Sequence, residues 1–407
     1  MNPFKARCSG RGGDRGMSFT ETTRTSWFAR LKNALIGFLV GIVVVVASIW
    51  TLFWNEGRSI KTYRALGEGA SIVVPVSADE IAPSNEGKLV HISGEVKAGG
   101  IASDPEFAIA ADGALAVRRE VEMYQWIQSS ESTTEKKLGG SEETVTTYKY
   151  QKEWREGRQN SADFRQPEGH ENPRLPVESA GFSVETATVG VFTVSGEDIA
   201  YLGSQSDLKV TENDAVNVGK ALSRPVHLDR GGFYVGADAS APVIGDVRIR
   251  YTRADLDEAS LVAQQMGGAL IPYRTTNGRE LFLSAAGRID AVRMFADAQA
   301  ENTLVTWLVR LGGMIGLFVG FSLILSILGV IADVIPFFGT LVGFGTGLVA
   351  LVLTVLIGPL VIAIGWFAYR PLLSCGLLSA GALVAFAVIW IRRRRPATLA
   401  VGRGRAV

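Results

Sequence analysis

The sequence predicts an α+β membrane protein with four transmembrane helices, one N-terminal and three C-terminal. A large β-rich extramembrane domain is predicted between the first helix and the second. Three observations support this fold class. The chain of 407 residues is 47% hydrophobic with a mean hydropathy of +0.20, which is high for a soluble protein. Its long uncharged runs lie near the two ends, and the stretch between them has the short alternating runs typical of strands.

Charge is segregated along the chain. The formal charge is +5 over residues 1–54, −11 over residues 55–302 and +7 over residues 303–407, within a total of +1. An acidic middle argues against nucleic-acid binding. The two cysteines, Cys8 and Cys375, lie outside the middle, so that domain must be stable without disulfides.

The N-terminal region is predicted as a cytoplasmic basic segment, 1–33, followed by transmembrane helix 1, 34–54. The 21 residues of that run are uncharged, enough at about 1.5 Å per residue to cross roughly 30 Å of hydrocarbon. A cleaved signal peptide is the alternative, but its apolar core is shorter and ends in small residues. An uncleaved anchor is therefore favoured. Met17 is an alternative start to Met1.

The C-terminal region is predicted to hold transmembrane helices 2, 3 and 4, at 303–332, 336–368 and 371–391, before a cytoplasmic basic tail, 392–407. Pro336 is expected to begin helix 3 and Pro359 to kink it. The four arginines that follow Ile391 predict a cytoplasmic C-terminus. Four spans then return the N-terminus to the cytoplasm and place residues 55–302 in the extracytoplasmic or luminal space.

Within the domain, alternation predicts strands at 71–76, 89–96, 115–127, 181–194, 232–236 and 246–252, and a polar loop at 129–143. A hairpin around that loop would set Tyr148, Tyr150 and Trp154 against Tyr124 and Trp126. Packing is the favoured role for these aromatic residues, and a peptide-binding face is the alternative. Helical spacing predicts helices at 256–266 and from 289 onward, the latter continuing into helix 2.

Glycines recur four residues apart in three of the spans. Such spacing makes a flat face on which two helix backbones can approach closely. Packing within one chain is favoured, and self-association is the alternative. The glycines are Gly37, Gly41, Gly312, Gly316, Gly320, Gly339, Gly343 and Gly347.

The sequence has no recognisable catalytic or nucleotide-binding motif, and we predict no catalytic residue, cofactor or metal ligand. A zinc site would have to combine the three histidines of the chain with distant carboxylates. His170 could act as a base or ligand, but a structural turn is favoured. Asp333 is a candidate intramembrane acid, although a helix cap at the tip of a hairpin is favoured.

Five motifs in this order resemble the LUMA family, also called the transmembrane protein 43 family, across most of the chain. Leu52 to Arg58 follow the first span and include Trp54, Asn55, Glu56 and Gly57. Val121 to Trp126 come next and include Tyr124. The others are Gly169-His170-Glu171-Asn172-Pro173, Ala332-Asp333-Val334-Ile335-Pro336 and Tyr369-Arg370-Pro371.

The resemblance implies a four-span protein without enzymatic activity that self-associates and organises membrane protein complexes, including the nuclear envelope in eukaryotic relatives. Its partners would be the lipid bilayer, further copies of the chain and other membrane proteins. The composition is typical of a prokaryotic member, for which the plasma membrane is expected; in a eukaryote it would be the endoplasmic reticulum and inner nuclear membrane. An extracytoplasmic ligand-binding or sensing module is the alternative function, and an enzyme ranks third.

Overall fold

The computed structural model describes residues 17–334 and 336–369 of the chain. Contacts divide these residues into two units. The first unit holds residues 17–30, 62–301, Val334 and Pro336, and the second holds residues 31–61, 302–333 and 337–369. The first unit is mostly strand and the second is helical.

The elements follow one another along the chain with bounds that the sequence analysis anticipates in part. The helices are α1 (Trp27–Ile72), α2 (Glu197–Ala200), α3 (Glu212–Leu222), α4 (Ala291–Ala332) and α5 (Pro336–Tyr369), with short 3-10 turns at Pro83–Asn85 and Ser161–Asp163. The strands are β1 (Met17–Thr25), β2 (Val74–Pro75), β3 (Leu89–Ala98), β4 (Ala102–Asp104), β5 (Ile109–Ala111), β6 (Ala116–Lys136), β7 (Glu142–Glu156), β8 (Ala180–Ser183), β9 (Thr186–Val189), β10 (Phe192–Ser195), β11 (Ser204–Asp207), β12 (Val226–Asp229), β13 (Gly232–Val235), β14 (Val247–Asp255), β15 (Glu258–Met266), β16 (Ala269–Ile271), β17 (Tyr273–Arg274), β18 (Glu280–Leu281) and β19 (Leu283–Ala286).

The larger sheet has the order β1-β7-β6-β14-β13-β12, with β11 added beside β14 and β8 beside β6. Strand β6 alternates as predicted: Val117, Val121, Met123 and Ile127 are at most 9% exposed and face the core. Arg119 and Gln125 share this buried face. Tyr124 and Trp126 lie on the other face, because successive side chains of a strand lie on opposite faces.

The hairpin of β6 and β7 is longer than predicted. The ladder runs from the pair Glu122–Glu156 to the pair Lys136–Glu142, so most of the predicted loop at 129–143 is strand. Cross-strand hydroxyl pairs support the extension, with Ser132 and Thr146 oxygens 2.9 Å apart. The polar composition that predicted a loop instead forms a ribbon with polar residues on both faces.

Strand β1 lies within the predicted N-terminal segment, 1–33, and joins the larger sheet through an antiparallel ladder with β7 from Met17–Tyr150 to Thr25–Glu142. At the tip of the hairpin, Arg30 forms an ion pair with Glu142 at 2.9 Å and donates to the carbonyl oxygen of Gly140 at 2.6 Å. These contacts require residues 17–30 and the hairpin tip to share a compartment. The sequence analysis assigns residues 1–33 and 55–302 to opposite sides of the membrane. The contacts of Arg30 at the hairpin tip disagree with that assignment.

The smaller sheet contains a closed ring of strands, since β15, β16, β10, β9 and β3 pair in sequence and β3 pairs with β15. The prediction of a helix at 256–266 is wrong, because these residues form β15. Ala259, Leu261, Val262 and Ala263 are each 0% exposed. A strand buried on both faces loses its alternation, so its apolar residues also matched helical spacing.

A charged group lies buried between strands of the larger sheet and the β4–β5 hairpin. Asp104 is 0% exposed and accepts from Arg119 and from the hydroxyl of Tyr251, both at 2.6 Å. Burial, followed by the hydrogen bond to Asp104, raises the pKa of the Tyr251 phenol above its ordinary value. The carboxylate is satisfied within the fold, which is what a buried charge requires.

Three helices in the described part of the chain are long and apolar enough to cross a membrane: Trp27–Ile72, Ala291–Ala332 and Leu341–Tyr369. Helix α1 continues 18 residues beyond Trp54, so the predicted domain at 55–302 starts with helix, and the strand predicted at 71–76 shrinks to β2. Helix α4 is continuous from Ala291 into the second span, as predicted. The fourth predicted span, 371–391, and the tail 392–407 lie outside the described residues, as do residues 1–16.

Candidate functional site

A buried acid lies in the helical unit. The side chain of Glu56, on α1, is 2% exposed, and Arg310 of α4 forms a bidentate ion pair with it, from Nε to Oε1 and from Nη2 to Oε2, both at 2.8 Å. Trp366 of α5 donates its indole Nε1 proton to Oε2, also at 2.8 Å. One carboxylate therefore joins three helices.

Two tryptophan rings and a glycine surround this ion pair. The guanidinium carbon of Arg310 lies 4.8 Å from the ring centroid of Trp307 and 5.9 Å from that of Trp366. Gly365 faces Glu56 so closely that a Cβ at this position would lie 2.9 Å from Cγ of Glu56. Stacking on aromatic rings stabilises a guanidinium, and a larger residue at 365 would displace the carboxylate.

Asn55 and Arg58, which flank Glu56 on α1, form a second group of polar contacts. Asn55 is 0% exposed; its Nδ2 donates to the carbonyl oxygen of Thr306 at 3.2 Å, and its Oδ1 accepts from Arg58 Nη2 at 3.1 Å. Arg58 also donates to Oδ1 of Asn302 at 3.3 Å and to Oγ1 of Thr306 at 3.2 Å. Asn302 Nδ2 in turn donates to the carbonyl oxygen of Ser59 at 3.1 Å. The polar residues of the predicted motif therefore bind α4.

The remaining residues of that motif lie on other faces of α1. Trp54 is 52% exposed. Gly57 faces the ring of Tyr369, and a Cβ there would lie 2.6 Å from Cζ. The Tyr369 ring also lies 5.7 Å from that of Phe53. The motifs at 54–58 and 369–371 are thus brought together at Tyr369, while Arg370 and Pro371 lie outside the described residues.

The glycine faces of α1 and α4 pack against each other. A Cβ at Gly41 would lie 2.8 Å from the carbonyl oxygen of Gly320. Gly316 faces the hydroxyl of Ser48, and Gly37 faces Leu323 at 3.9 Å. These contacts are the packing within one chain that the sequence analysis favours. Gly312, in contrast, has no described atom within 4 Å of its Cβ position.

The glycines of α5 differ from one another. The Asp333 carboxylate occupies the place where a Cβ on Gly339 would be, and Asp333 is 1% exposed. Asp333 therefore lies against the first turn of α5, as expected of a residue at a helix start; the side chain of Pro336 lies outside the described residues. Gly343 and Gly347 have no heavy atom within 4 Å of their Cβ positions among the described residues.

The aromatic motif of the domain packs as a hairpin. Tyr124 and Trp154 are direct cross-strand partners with ring centroids 5.3 Å apart. The ring of His170 stacks on Tyr150 at 4.0 Å, and the Trp126 ring meets its edge at 4.7 Å. His170 Nδ1 is 3.0 Å from a backbone carbonyl oxygen, which fits the favoured structural turn.

Asn172 fixes the loop that carries His170. Its Oδ1 accepts from the backbone nitrogen of Trp126 at 2.7 Å, and its Nδ2 donates to the carbonyl oxygen of Trp126 at 2.9 Å. Gly169 has a φ of +81°, a conformation that favours glycine. Pro173 lies against Gly245. Within the described residues, no group of three or more His, Cys, Asp or Glu side chains could hold a metal ion.

Sequence reasoning missed the partners of Glu56. Arg310 and Trp366 come from helices far along the chain. Gly365, which leaves space for the Glu56 side chain, comes from the same distant helix as Trp366. One signal was available: Arg310 is the only charged residue between Glu301 and Asp333, and a charge at that depth needs a partner.

These features define a class: an integral, multi-pass membrane protein whose helices are joined by a buried ion pair and whose first and second spans flank a β-rich domain. A model of the family described as transmembrane protein 43 matches residues 123–371. The chain is 33% identical over 392 residues to transmembrane protein 43 of Mus musculus, covering 93% of this chain and 95% of the relative.

Two further relatives extend this similarity. Transmembrane protein 43 of Homo sapiens is 33% identical over 390 residues, covering 92% of this chain and 94% of its own. The homolog from Drosophila melanogaster is 28% identical over 381 residues, covering 90% and 95%. No solved structure matches the chain. The chain belongs to the transmembrane protein 43 family.

Proposed function

We propose that this chain is a non-enzymatic membrane scaffold that self-associates in the bilayer through α5 and organises other membrane proteins. One observation carries the proposal: the glycine face of α5. Gly41, Gly316 and Gly320 are used between α1 and α4, whereas Gly343 and Gly347 meet no other part of the described chain. Small residues four apart are a common helix–helix interface in membranes, and no residue that the structure describes covers this one.

The buried polar network supports a structural role for the helices. Both oxygens of Glu56 accept hydrogen bonds from Arg310, and Trp366 donates a further one. A carboxylate engaged in this way is poorly suited to move protons or bind substrate. The network around Glu56 holds α1, α4 and α5 in one arrangement. A preformed association surface needs such a fixed arrangement.

Localisation belongs to the same proposal. The four arginines that follow Ile391 favour cytoplasmic termini, in the plasma membrane of a prokaryote or the endoplasmic reticulum and inner nuclear membrane of a eukaryote. Sensing by the β-rich domain is the second candidate function, and the continuous helix α4 (Ala291–Ala332), which runs from the domain into the membrane, favours it.

The test of self-association is disulfide trapping in native membranes. In a background with Cys8 and Cys375 replaced by Ser, Gly347→Cys is expected to give a disulfide-linked dimer on mild oxidation. Gly345→Cys is the matched control, because residue 345 lies about 200° around the helix from residue 347 and is expected to stay monomeric. Gly343→Ile is expected to lower trapping at position 347 several-fold, whereas Gly345→Ile leaves it unchanged.

Two outcomes contradict the proposal. The first is equal trapping at positions 345 and 347, which indicates random collision. The second is an intramolecular bond between Gly347→Cys and a restored Cys375 with no dimer, which assigns the face to the chain's own C-terminal segment.

A further inference from the structure

A gap in the larger sheet carries two adjoining cavities. Strand β7 ends at Glu156, opposite Glu122, and β8 begins at Ala180, opposite Arg119. Between these points β6 has no neighbouring strand on that side within the described residues. A cavity of about 100 Å³ lies there, lined by Glu120, Val121, Glu122, Glu156, Arg248 and Arg250. A larger one of about 560 Å³ shares Glu156 with it and also involves Arg158, Arg174 and Glu178.

The charges in the smaller cavity are placed alongside one another without being paired. Arg248, Glu122 and Glu156 form one cross-strand row on the outer face of the sheet. Among residues 17–334 and 336–369, neither Arg248 nor Arg250 has a carboxylate within 4.0 Å, although three carboxylates line the same cavity. Opposite charges on adjacent strands normally pair, so this separation leaves room for something between them.

Arg248 is oriented to receive an acceptor. Its guanidinium carbon lies 4.0 Å from the ring centroid of Trp154, which covers one face of the group. Its Nε is buried and has no hydrogen-bond partner in the described part of the chain. A guanidinium held by an aromatic ring presents its in-plane N–H groups to a carboxylate in bidentate fashion.

We propose that this cavity binds a small zwitterion of the α-amino acid class. The carboxylate of the ligand would accept from Arg248, and its ammonium group would donate to Glu122 and Glu156. Three carboxylates disfavour a simple anion, and two guanidinium groups disfavour a simple cation. The volume corresponds to about three water molecules at about 30 Å³ each, which suits a small amino acid whose side chain points into the larger cavity.

The experiment uses the full chain in lipid nanodiscs and follows thermal unfolding of the β-rich domain. L-alanine is expected to raise the midpoint in a saturable manner, whereas ethanolamine and inorganic phosphate, which each carry one charge type, leave it unchanged. Arg248→Gln is expected to weaken the apparent affinity for L-alanine roughly 10- to 100-fold, the loss of a charge-assisted hydrogen bond. Arg230→Gln, with an exposed arginine outside the cavity, is the control.

Three results overturn the proposal: no midpoint shift with L-alanine, an equal shift with inorganic phosphate, or full L-alanine affinity in Arg248→Gln. A shift with phosphoethanolamine but not with L-alanine also overturns it and assigns the site to a lipid headgroup. If Arg248→Gln fails to fold, the double variant Glu122→Gln/Glu156→Gln replaces it with the same expected loss. Disulfide trapping at position 347 is independent of these outcomes, so failure of this site and failure of self-association are distinguishable.

Discussion

Glu56 of α1 and Arg310 of α4 meet as a bidentate ion pair with two nitrogen–oxygen distances of 2.8 Å, and Trp366 of α5 completes the contact. A buried ion pair adds less to stability than its geometry suggests, because both charges lose their hydration. The loss of one partner has a much larger effect, since the other charge stays buried alone. This asymmetry makes the pair a sensitive test of how the three helices are held.

Removing one partner of the pair should be costly. We expect Arg310→Met to lower the free energy of unfolding by about 3–5 kcal/mol, because Glu56 is left buried without its cation. The double variant Glu56→Gln/Arg310→Met should recover a large part of that loss. Equilibrium unfolding of the chain in mixed micelles measures the difference.

The control for this prediction is Arg293→Gln. Arg293 pairs with Asp297 on the exposed surface of α4, and its loss should leave the unfolding free energy unchanged within error. A double variant that is less stable than Arg310→Met alone would show that the ion pair does not act as a unit.

The close approach of α1 and α4 depends on glycine at position 41. We expect Gly41→Leu to lower the unfolding free energy by about 1–3 kcal/mol, the usual effect of forcing atoms into a packed interface. Gly312→Leu is the matched control, because Gly312 lies on α4 and none of the described atoms is within 4 Å of its Cβ position. The same micelle unfolding measurement distinguishes them, and equal losses in the two variants would contradict the observed packing.

The overall architecture was predictable because apolar length and strand alternation are local properties of a sequence. The buried polar network was not, because Glu56 and Arg310 are 254 residues apart. A charge ends an uncharged run, so the sequence analysis ended the first span at Trp54 and placed Glu56 in the water-facing domain that starts at residue 55. Only the fold shows that helix α1 continues past it with the carboxylate turned inward.

Strand β15 illustrates a second limit of predicting structure from sequence periodicity. Ala259 and Ala263 lie four residues apart, which matches a helix face, but every residue between them is also buried. Periodicity cannot distinguish a helix from a strand that is buried on both faces. Pairing with β3 and β19 decides the conformation, and those partners come from distant parts of the sequence.

The buried phenol of Tyr251 predicts a loss of stability in alkali. Its pKa is raised in the folded domain by burial and by the hydrogen bond to Asp104, whereas an exposed tyrosine titrates near pH 10. The folded state therefore binds the proton more tightly than the unfolded state. Its stabilising effect is complete below about pH 10 and declines as the pH rises above that value.

We expect the unfolding free energy of the chain to fall more steeply above about pH 10 in the wild type than in Tyr251→Phe, which has no ionisable group at this position. Denaturant unfolding at a series of alkaline pH values measures the slopes. Tyr201→Phe is the control, because Tyr201 is 69% exposed, and its slope should match the wild type. Equal slopes for the wild type and Tyr251→Phe would mean that another group governs alkaline unfolding.

The ladder between β1 and β7 makes a prediction about membrane sidedness. Residues 17–25 pair with residues 142–150, and the backbone nitrogen of Gly139 donates to the carbonyl oxygen of Val334 at 3.1 Å. Val334 follows the second span and Ser18 precedes the first. When these contacts form in the membrane-inserted protein, residues 17–25, the hairpin tip and Val334 lie on the same side of the bilayer.

Cysteine labelling with an impermeant maleimide tests this, in a background with Cys8 and Cys375 replaced by Ser. Leu138→Cys is expected to label from the same side as Ser18→Cys, because Leu138 is 85% exposed at the hairpin tip and the tip is tied to Arg30. The charge distribution predicts that the side of Ser18 is cytoplasmic. Labelling of Leu138→Cys from the side opposite Ser18→Cys would show that β1 does not pair with β7 in the membrane, and the N-terminal segment would then be separate from the domain, as its basic sequence first predicted.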